Sequence, residues 1–270
     1  DRAIEEQLSA LGSESFVVQK FPPVMVSHNW REYARRKDFT YDDAIFLQTT
    51  AANVSAATAV INRGGQTIKY KDKKTAPNVR VVGTMSEYLS TQALDLASGR
   101  FLTGDDVSHT RQVAIIGRDV ATELFPYIDP VDRRILAGGQ GFLVIGVLEQ
   151  APTTFGQSAD NVIIIPITAY EKVFTTSRRQ MSNTGLFLRA WDTKSVDQAI
   201  DEVVALLRVR RKVPLAEEND FEVVTAESLM NTLADFTFYI RIAAIGIAGI
   251  SLLVAGIGIM NVMLVSVMER

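Results

Sequence analysis

Hydrophobic residues come in short, punctuated runs as far as Arg241 and then take over the chain. The 27 positions from Ile242 to Met268 hold no charged side chain. As a helix at 1.5 Å per residue they would reach about 40 Å, and a bilayer core needs roughly 20 residues. A core helix of that length would carry a polar stripe, so the pattern predicts a transmembrane helix over 239–268. Gly246, Gly249, Gly256 and Gly258 would weaken a helix in water but suit close packing between membrane helices. Ala244 with Ala248, and Ser251 with Ala255, stand at small-xxx-small spacing. Asn261, strongly polar inside the span, either hydrogen-bonds across a helix interface or lies near the membrane surface. Arg241 at one end and Glu269 with Arg270 at the other bound the span with charge.

Upstream, the runs alternate between the two periodicities. Ile4, Leu8 and Leu11 recur at helical spacing before Gly12, so 1–12 reads as the tail of a helix that begins in a preceding segment. SESFVVQKF reads as a strand, and VMVSHNWREYARRKD as a mostly polar connection. Thr40 and Asp43 mark a helix start for YDDAIFLQTT. VSAATAVINR, QTIKYKDKK and VRVVGTM read as strands, with Gly64-Gly65 as a hairpin turn between the first two. Lys71 to Lys74 marks a polar turn or edge. SEYLSTQALDL reads as a helix, QVAIIG as a strand, RDVATELF as a helix, and RRILAGGQGFLVIGVL as a hairpin turning at Gly138 to Gly141. VIIIPI is a fully apolar strand run. Thr168 with Glu171 and Ser195 with Gln198 form capping boxes for the next two helices, with GLFLRAW as a strand between them. In the second helix Val196, Ile200, Val203 and Leu207 share one face, which should lie on a sheet. FEVVT is the last strand, and Thr225 caps a helix that runs into the membrane span. The fold class is therefore α+β, followed by a transmembrane helix.

Composition narrows the functions. The formal net charge is −3, and the longest basic cluster, Arg208, Arg210, Arg211 and Lys212, closes a helix, where it suits the dipole. No nucleic-acid surface is expected. The chain has no cysteine, which removes thiol chemistry and thiolate metal sites. His28 and His109 are isolated in polar surroundings, so no metal site is expected. Ala137 to Gly141 is glycine-rich but lacks the Lys-Ser/Thr of a phosphate loop and is flanked by strands. IIGRDV lacks two glycines of a nucleotide fingerprint. Asp105 and Asp106 are adjacent on a turn or helix start, a poor arrangement for one catalytic centre. Ser27-His28 has no placeable acidic partner. No catalytic, cofactor or metal site is expected.

LLVAGIGIMNVMLVSVMER, 252–270, resembles the opening of the second membrane helix of MacB-type ABC transporter permeases, within the wider FtsX-like group. LDLASGRFLTGDD resembles that family's "G-R" turn before a polar loop. VAIIGRDVATELF followed by Asp129-Pro130-Val131 resembles its run ending in D-P-V-G, with Asp132 in place of the glycine. FLVIGVLE, VIIIPITAY and EENDFEVVTAESL fit the elements that follow. The resemblance implies a split porter-like βαβ part, 13–83 with 183–231, holding a small α/β insert, 84–182. It implies a bacterial inner-membrane location, with residues 1 to about 238 extracytoplasmic. It implies an ABC ATPase domain or subunit that binds ATP and Mg²⁺, and a second permease copy in a homodimer or heterodimer. A periplasmic adaptor and an outer-membrane channel are further implied partners. Glu269 and Arg270 would face the ATPase. ATP hydrolysis would drive movement of the extracytoplasmic domain through the second helix. A lipoprotein-releasing permease, a cell-division-type permease and a membrane-anchored binding or sensor domain are the alternatives.

Overall fold

The computed structural model describes residues 14–22, 30–92, 94–150, 160–174, 184–214 and 216–268. The expected helix tail over 1–12, Ser27-His28, and Glu269 with Arg270 lie outside them. The chain forms two compact units, Asp1–Ala226 and Glu227–Arg270. In the first, β1 (Ser15–Gln19) is followed by α1 (Trp30–Arg35), α2 (Tyr41–Thr50) and the long strand β2 (Val54–Gln66). Then come β3 (Lys69–Tyr70), β4 (Lys73–Lys74), β5 (Val79–Thr84), α3 (Tyr88–Gln92) and β6 (Leu96–Gly99). Next are α4 (Gly104–Ser108), β7 (Val113–Ile116), α5 (Arg118–Leu124), β8 (Arg134–Ala137) and β9 (Gln140–Leu148). β10 (Val162–Pro166), α6 (Ile167–Phe174), β11 (Gly185–Ala190), α7 (Val196–Arg211) and β12 (Glu222–Thr225) complete it, and α8 (Ala226–Met268) follows.

The strands follow the order β12-β1-β11-β2-β5-β10-β7-β9-β8-β3-β4, with β6 on β9. The first four are antiparallel neighbours, so β11 separates β1 from β2 and β1 separates β11 from β12. This is the split βαβ arrangement: α2 lies between β1 and β2 in sequence, and α7 between β11 and β12. β2 then changes partner. Val54 to Val60 pairs with β11, and Ile61 to Gln66 with β5. The chain from β3 to β10 extends the sheet beyond that point, with parallel pairs β5–β10 and β7–β9. The α+β class expected from the sequence is the one observed.

Alternation explains the core. On β10, Ile163 and Ile165 face one buried cluster, Val162 and Ile164 the other. On β7, Ala114 and Ile116 divide from Val113 and Ile115 in the same way. These strands are covered on both faces and therefore read as unbroken apolar runs. α2 and α7 contribute Ala44, Leu47, Ala199, Val203 and Leu207 to the first cluster; of the face expected on α7, Val203 and Leu207 are buried in it and Val196 and Ile200 pack against it half-buried. The basic end of α7 is tied into the fold. Arg210 Nε donates to Asp43 at 2.6 Å, Arg211 Nε donates to both Asp220 oxygens, and Lys212 closes the helix at φ 58°.

Five local expectations are corrected. Gly64-Gly65 makes no hairpin: β2 runs through it, and a register shift between Arg63 and Gln66 absorbs the extra length as a bulge. The α3 helix ends at Gln92, and Leu96–Gly99 is a strand on β9. Thr168 lies inside α6, and its hydroxyl donates to the Val107 carbonyl at 2.6 Å instead of capping. Ser195 stands at the N-cap of α7 but makes no side-chain cap bond; the capping carboxylate is that of Asp192, which accepts from Ser195 N at 2.7 Å and opens the 3-10 turn Thr193–Ser195 that leads into α7. WREYAR, expected as connection, is the short helix α1.

At Asp132 the turn keeps a glycine's conformation without the glycine. Its φ is 62°, and its N–H donates to the Val144 carbonyl at 2.8 Å. Aspartate tolerates this region better than most residues, yet at a cost. Asp132→Gly should stabilise the domain by about 0.5 kcal/mol, and Asp132→Val should destabilise it by about 1–2 kcal/mol. Urea unfolding of the two variants checks the signs.

Candidate functional site

The structure keeps the feature the sequence made most prominent. Thr225 closes β12, and Ala226 opens a single helix of 43 residues with no break to Met268. At 1.5 Å per residue it is about 65 Å long. Thr237–Asn261 is long and apolar enough to cross a membrane, and none of that window is buried. In water, so many exposed aliphatic side chains, Ile245, Ile250, Leu253 and Ile257 among them, would be a severe liability; in lipid they match their solvent. Ser251 satisfies its hydroxyl within the helix by donating to the Ile247 carbonyl at 2.9 Å.

Arg241, Gly246, Gly249, Gly256, Gly258 and Asn261 all lie on α8 and are exposed. At about 100° per residue, Gly246, Gly249 and Gly256 fall within a sector of about 80°, and Gly258 lies on the opposite side. A Cβ at any of the four glycines would meet nothing within 4 Å. Three of them therefore form a smooth strip on one face, with Asn261 about 60° from Gly246.

In the folded unit the residues singled out for chemistry have structural roles. Asp106 is fully buried and accepts from Arg100 at 2.6 Å, Arg111 at 3.2 Å, and both the N–H and the hydroxyl of Thr103. Burial alone would raise its pKa. The hydrogen bonds from Arg100 and Thr103 and the Arg100 charge outweigh that, and hold the carboxyl well below the usual range. Asp105, its neighbour, contributes backbone: its carbonyl accepts from the N–H and lies 3.0 Å from Nδ1 of exposed His109. Glu202 on α7 accepts from the N–H groups of Ala52 and Asn53 at 2.8 and 2.9 Å, and these bonds, that of Ala52 first, lower its pKa. Among the described residues no group of three or more His, Asp or Glu could hold a metal ion.

The chain thus holds an α+β unit built on a split βαβ sheet and, after it in sequence, an apolar helix long enough to cross a membrane. The chain belongs to the MacB-like periplasmic core domain family, which matches residues 1–206. It is 31% identical over 271 residues to the macrolide export ATP-binding/permease protein MacB of Bdellovibrio bacteriovorus, covering 100% of this chain and 40% of that protein. It is 37% identical over 192 residues to the MacB of Rhodospirillum rubrum, covering 70% of this chain and 28% of that protein. The chain thus spans well under half the length of these relatives. Among solved structures, the periplasmic region of MacB from Actinobacillus actinomycetemcomitans shares the fold with TM-score 0.66 at 17% identity, covering 86% of this chain and 97% of that one. The extracellular domain of the transporter YknZ from Gram-positive bacteria does so with TM-score 0.60 at 21% identity, covering 78% and 100%. The chain is the extracytoplasmic domain of a MacB-type ABC transporter permease, with one apolar helix at its C-terminal end.

Proposed function

We propose that this chain transmits force between a cytoplasmic ATPase and its own extracytoplasmic domain, as part of an ABC-type export or mechanotransmission system in the bacterial inner membrane. The observation that carries the reading is α8, 43 residues without a proline or a break from the last strand of the sheet onward. A continuous helix passes a displacement along its axis, whereas a kinked one absorbs it. The chain itself is read as non-catalytic. ATP and Mg²⁺ belong to an ABC ATPase domain or subunit, which Glu269 and Arg270 face. A second permease copy packs against the glycine strip of α8, and a periplasmic adaptor and an outer-membrane channel are candidate further partners. The extracytoplasmic domain is read as a split porter-like part, 13–83 with 183–231, holding a small α/β insert, 84–182; a sheet of two parts is supported by β2, which pairs with β11 up to Val60 and with β5 from Ile61.

Breaking the helix tests the reading without knowledge of the cargo. This chain has no cysteine, so, once any cysteine elsewhere in the full-length protein is replaced, Trp191→Cys can carry an environment-sensitive fluorophore on the folded domain. In the full-length protein with its ATPase, in liposomes, ATP should change that signal. Inserting Gly-Pro after Phe236 should abolish the change and leave ATP hydrolysis within about two-fold, because a proline in a helix interior costs about 3 kcal/mol and breaks it. An ATP-driven signal that survives the insertion would sink the lever.

A further inference from the structure

The apolar run of α8 is longer than a bilayer core is thick. Its 27 uncharged residues, 242–268, reach about 40 Å as a helix, against a core of about 30 Å. Either the helix tilts by about 40° to immerse the whole run, or about seven residues stand outside the core. Membrane helices tilt by about 20° on average. The polar groups of α8 decide between the two.

The run is bounded sharply where it begins. Arg241 is exposed, and its charge is expelled from hydrocarbon. Side chains on a helix lean toward its N-terminus, so this guanidinium reaches out of the core to the headgroups. Phe238 and Tyr239, 56% and 69% exposed, lie within one turn of it, at the level where membrane helices carry their aromatic belt.

Asn261 comes 20 residues after Arg241. That is about 30 Å along the helix, or about 28 Å at a 20° tilt, which matches the core. Asn261 is exposed and its amide forms no hydrogen bond among the described residues. The Ser251 hydroxyl, midway between Arg241 and Asn261, is satisfied by the Ile247 carbonyl and can lie deep in lipid. An amide without a partner cannot do so cheaply. At about 100° per residue Asn261 stands about 140° from Gly256, the strip glycine nearest to it, so a helix packed on that strip leaves the amide unanswered. Nor can the amide snorkel: it is short, and it leans back toward the N-terminus, into the core. A 40° tilt would hold it about 7 Å inside the hydrocarbon.

We infer that the hydrocarbon core of the bilayer lies between Arg241 and Asn261, centred on Ser251, and that residues 262–268 stand beyond it on the cytoplasmic side. The inference rests on the reading of α8 as a membrane span. It places Met263, Leu264, Val267 and Met268, each more than half exposed on the helix, at headgroup level or past it.

Depth measurements test this register. Tyr239→Cys, Ile245→Cys, Ser251→Cys, Ile257→Cys and Met263→Cys each carry a spin label in the full-length protein with its ATPase, in liposomes, once any other cysteine is replaced. Collision with oxygen, which concentrates in lipid, against a nickel chelate, which stays in water, reads the depth of each label. The label at 251 should be deepest, those at 245 and 257 equally deep, and those at 239 and 263 at headgroup level. Asn261→Leu should move the deepest position toward 255, the midpoint of the uncharged run, and draw the label at 263 into the core. A label at 263 in the core without that substitution, or a depth profile that Asn261→Leu leaves unmoved, would overturn the inference and leave the span standing. Water-like values at all five positions would sink the span itself, and the inference with it.

Discussion

Asp106→Asn should lower the unfolding free energy of the domain by about 3 kcal/mol, and should also change how stability depends on pH. The carboxylate is fully buried and holds together three separate pieces of chain. Arg100 follows β6, Thr103 caps α4, and Arg111 leads into β7. Charge-assisted hydrogen bonds are worth about 1.5–3 kcal/mol each, and a lost cap about 1 kcal/mol. Arg100 and Arg111 are about half exposed, so water can take over part of their charge when the carboxylate is gone. That keeps the expected loss at the lower end of the 3–5 kcal/mol seen when a buried pair is broken. The folded-state pKa of Asp106 is depressed, so its contribution is present above the unfolded value, near 3.9, and is lost as pH falls below it. Wild-type stability should therefore decline progressively below about pH 4, and Asp106→Asn should lack that part of the slope. Urea titrations between pH 2 and 7 measure both. Parallel pH profiles for the two proteins would remove Asp106 from this role.

Much of this was legible in local sequence, and what escaped was non-local. The long apolar helix, the apolar strand VIIIP and the buried face of α7 each follow from a pattern read over consecutive residues. The Thr40–Asp43 end was legible because capping is settled within four residues, whereas Asp105-Asp106 was read only as a turn or helix start and Thr103 is the cap there. Gly64-Gly65 looked like a hairpin because the strand that pairs with β2 had to be guessed as the next one; it is β5, beyond the lysine hairpin. Thr168 had the sequence of a cap but spends its hydroxyl on Val107, 61 residues away. Leu96 to Gly99 lacks any β pattern of its own and becomes a strand only because β9 offers it an edge. The Lys69–Lys74 opposition was hidden for the same reason. Read as one strand, those positions lie five apart; folded at Lys71-Asp72, they face each other. The division of the α8 glycines into a strip of three and an outlier needs the helix to be continuous.

Gly99→Ala should cost about 3–5 kcal/mol, more than any surface change in the domain, although it adds a single methyl group. Gly99 ends β6 at φ 80°, in the left-handed region, where an L side chain costs about 1–2 kcal/mol. It pairs with Gly146 of β9, and the two backbones approach too closely for either to carry a Cβ. A methyl at Gly99 would overlap the Ile145 carbonyl oxygen and stand 2.7 Å from Gly146 Cα; one at Gly146 would stand 2.6 Å from the Arg100 carbonyl. These are backbone atoms and cannot swing away, so β6 must shift off β9. That shift would break the bond from Arg100 N to the Ile145 carbonyl, now 2.9 Å, and withdraw the Arg100 guanidinium from Asp106. The "G-R" pair in the sequence is thus one device: the glycine lets β6 close on β9, and the closure aims the arginine at the buried carboxylate. Two substitutions acting on one device should not add. Gly99→Ala combined with Arg100→Ala should cost at least 1 kcal/mol less than the sum of the single changes. Unfolding of the four proteins in urea gives the cycle. Additivity, or a Gly99→Ala loss below about 1 kcal/mol, would show that β6 positions nothing.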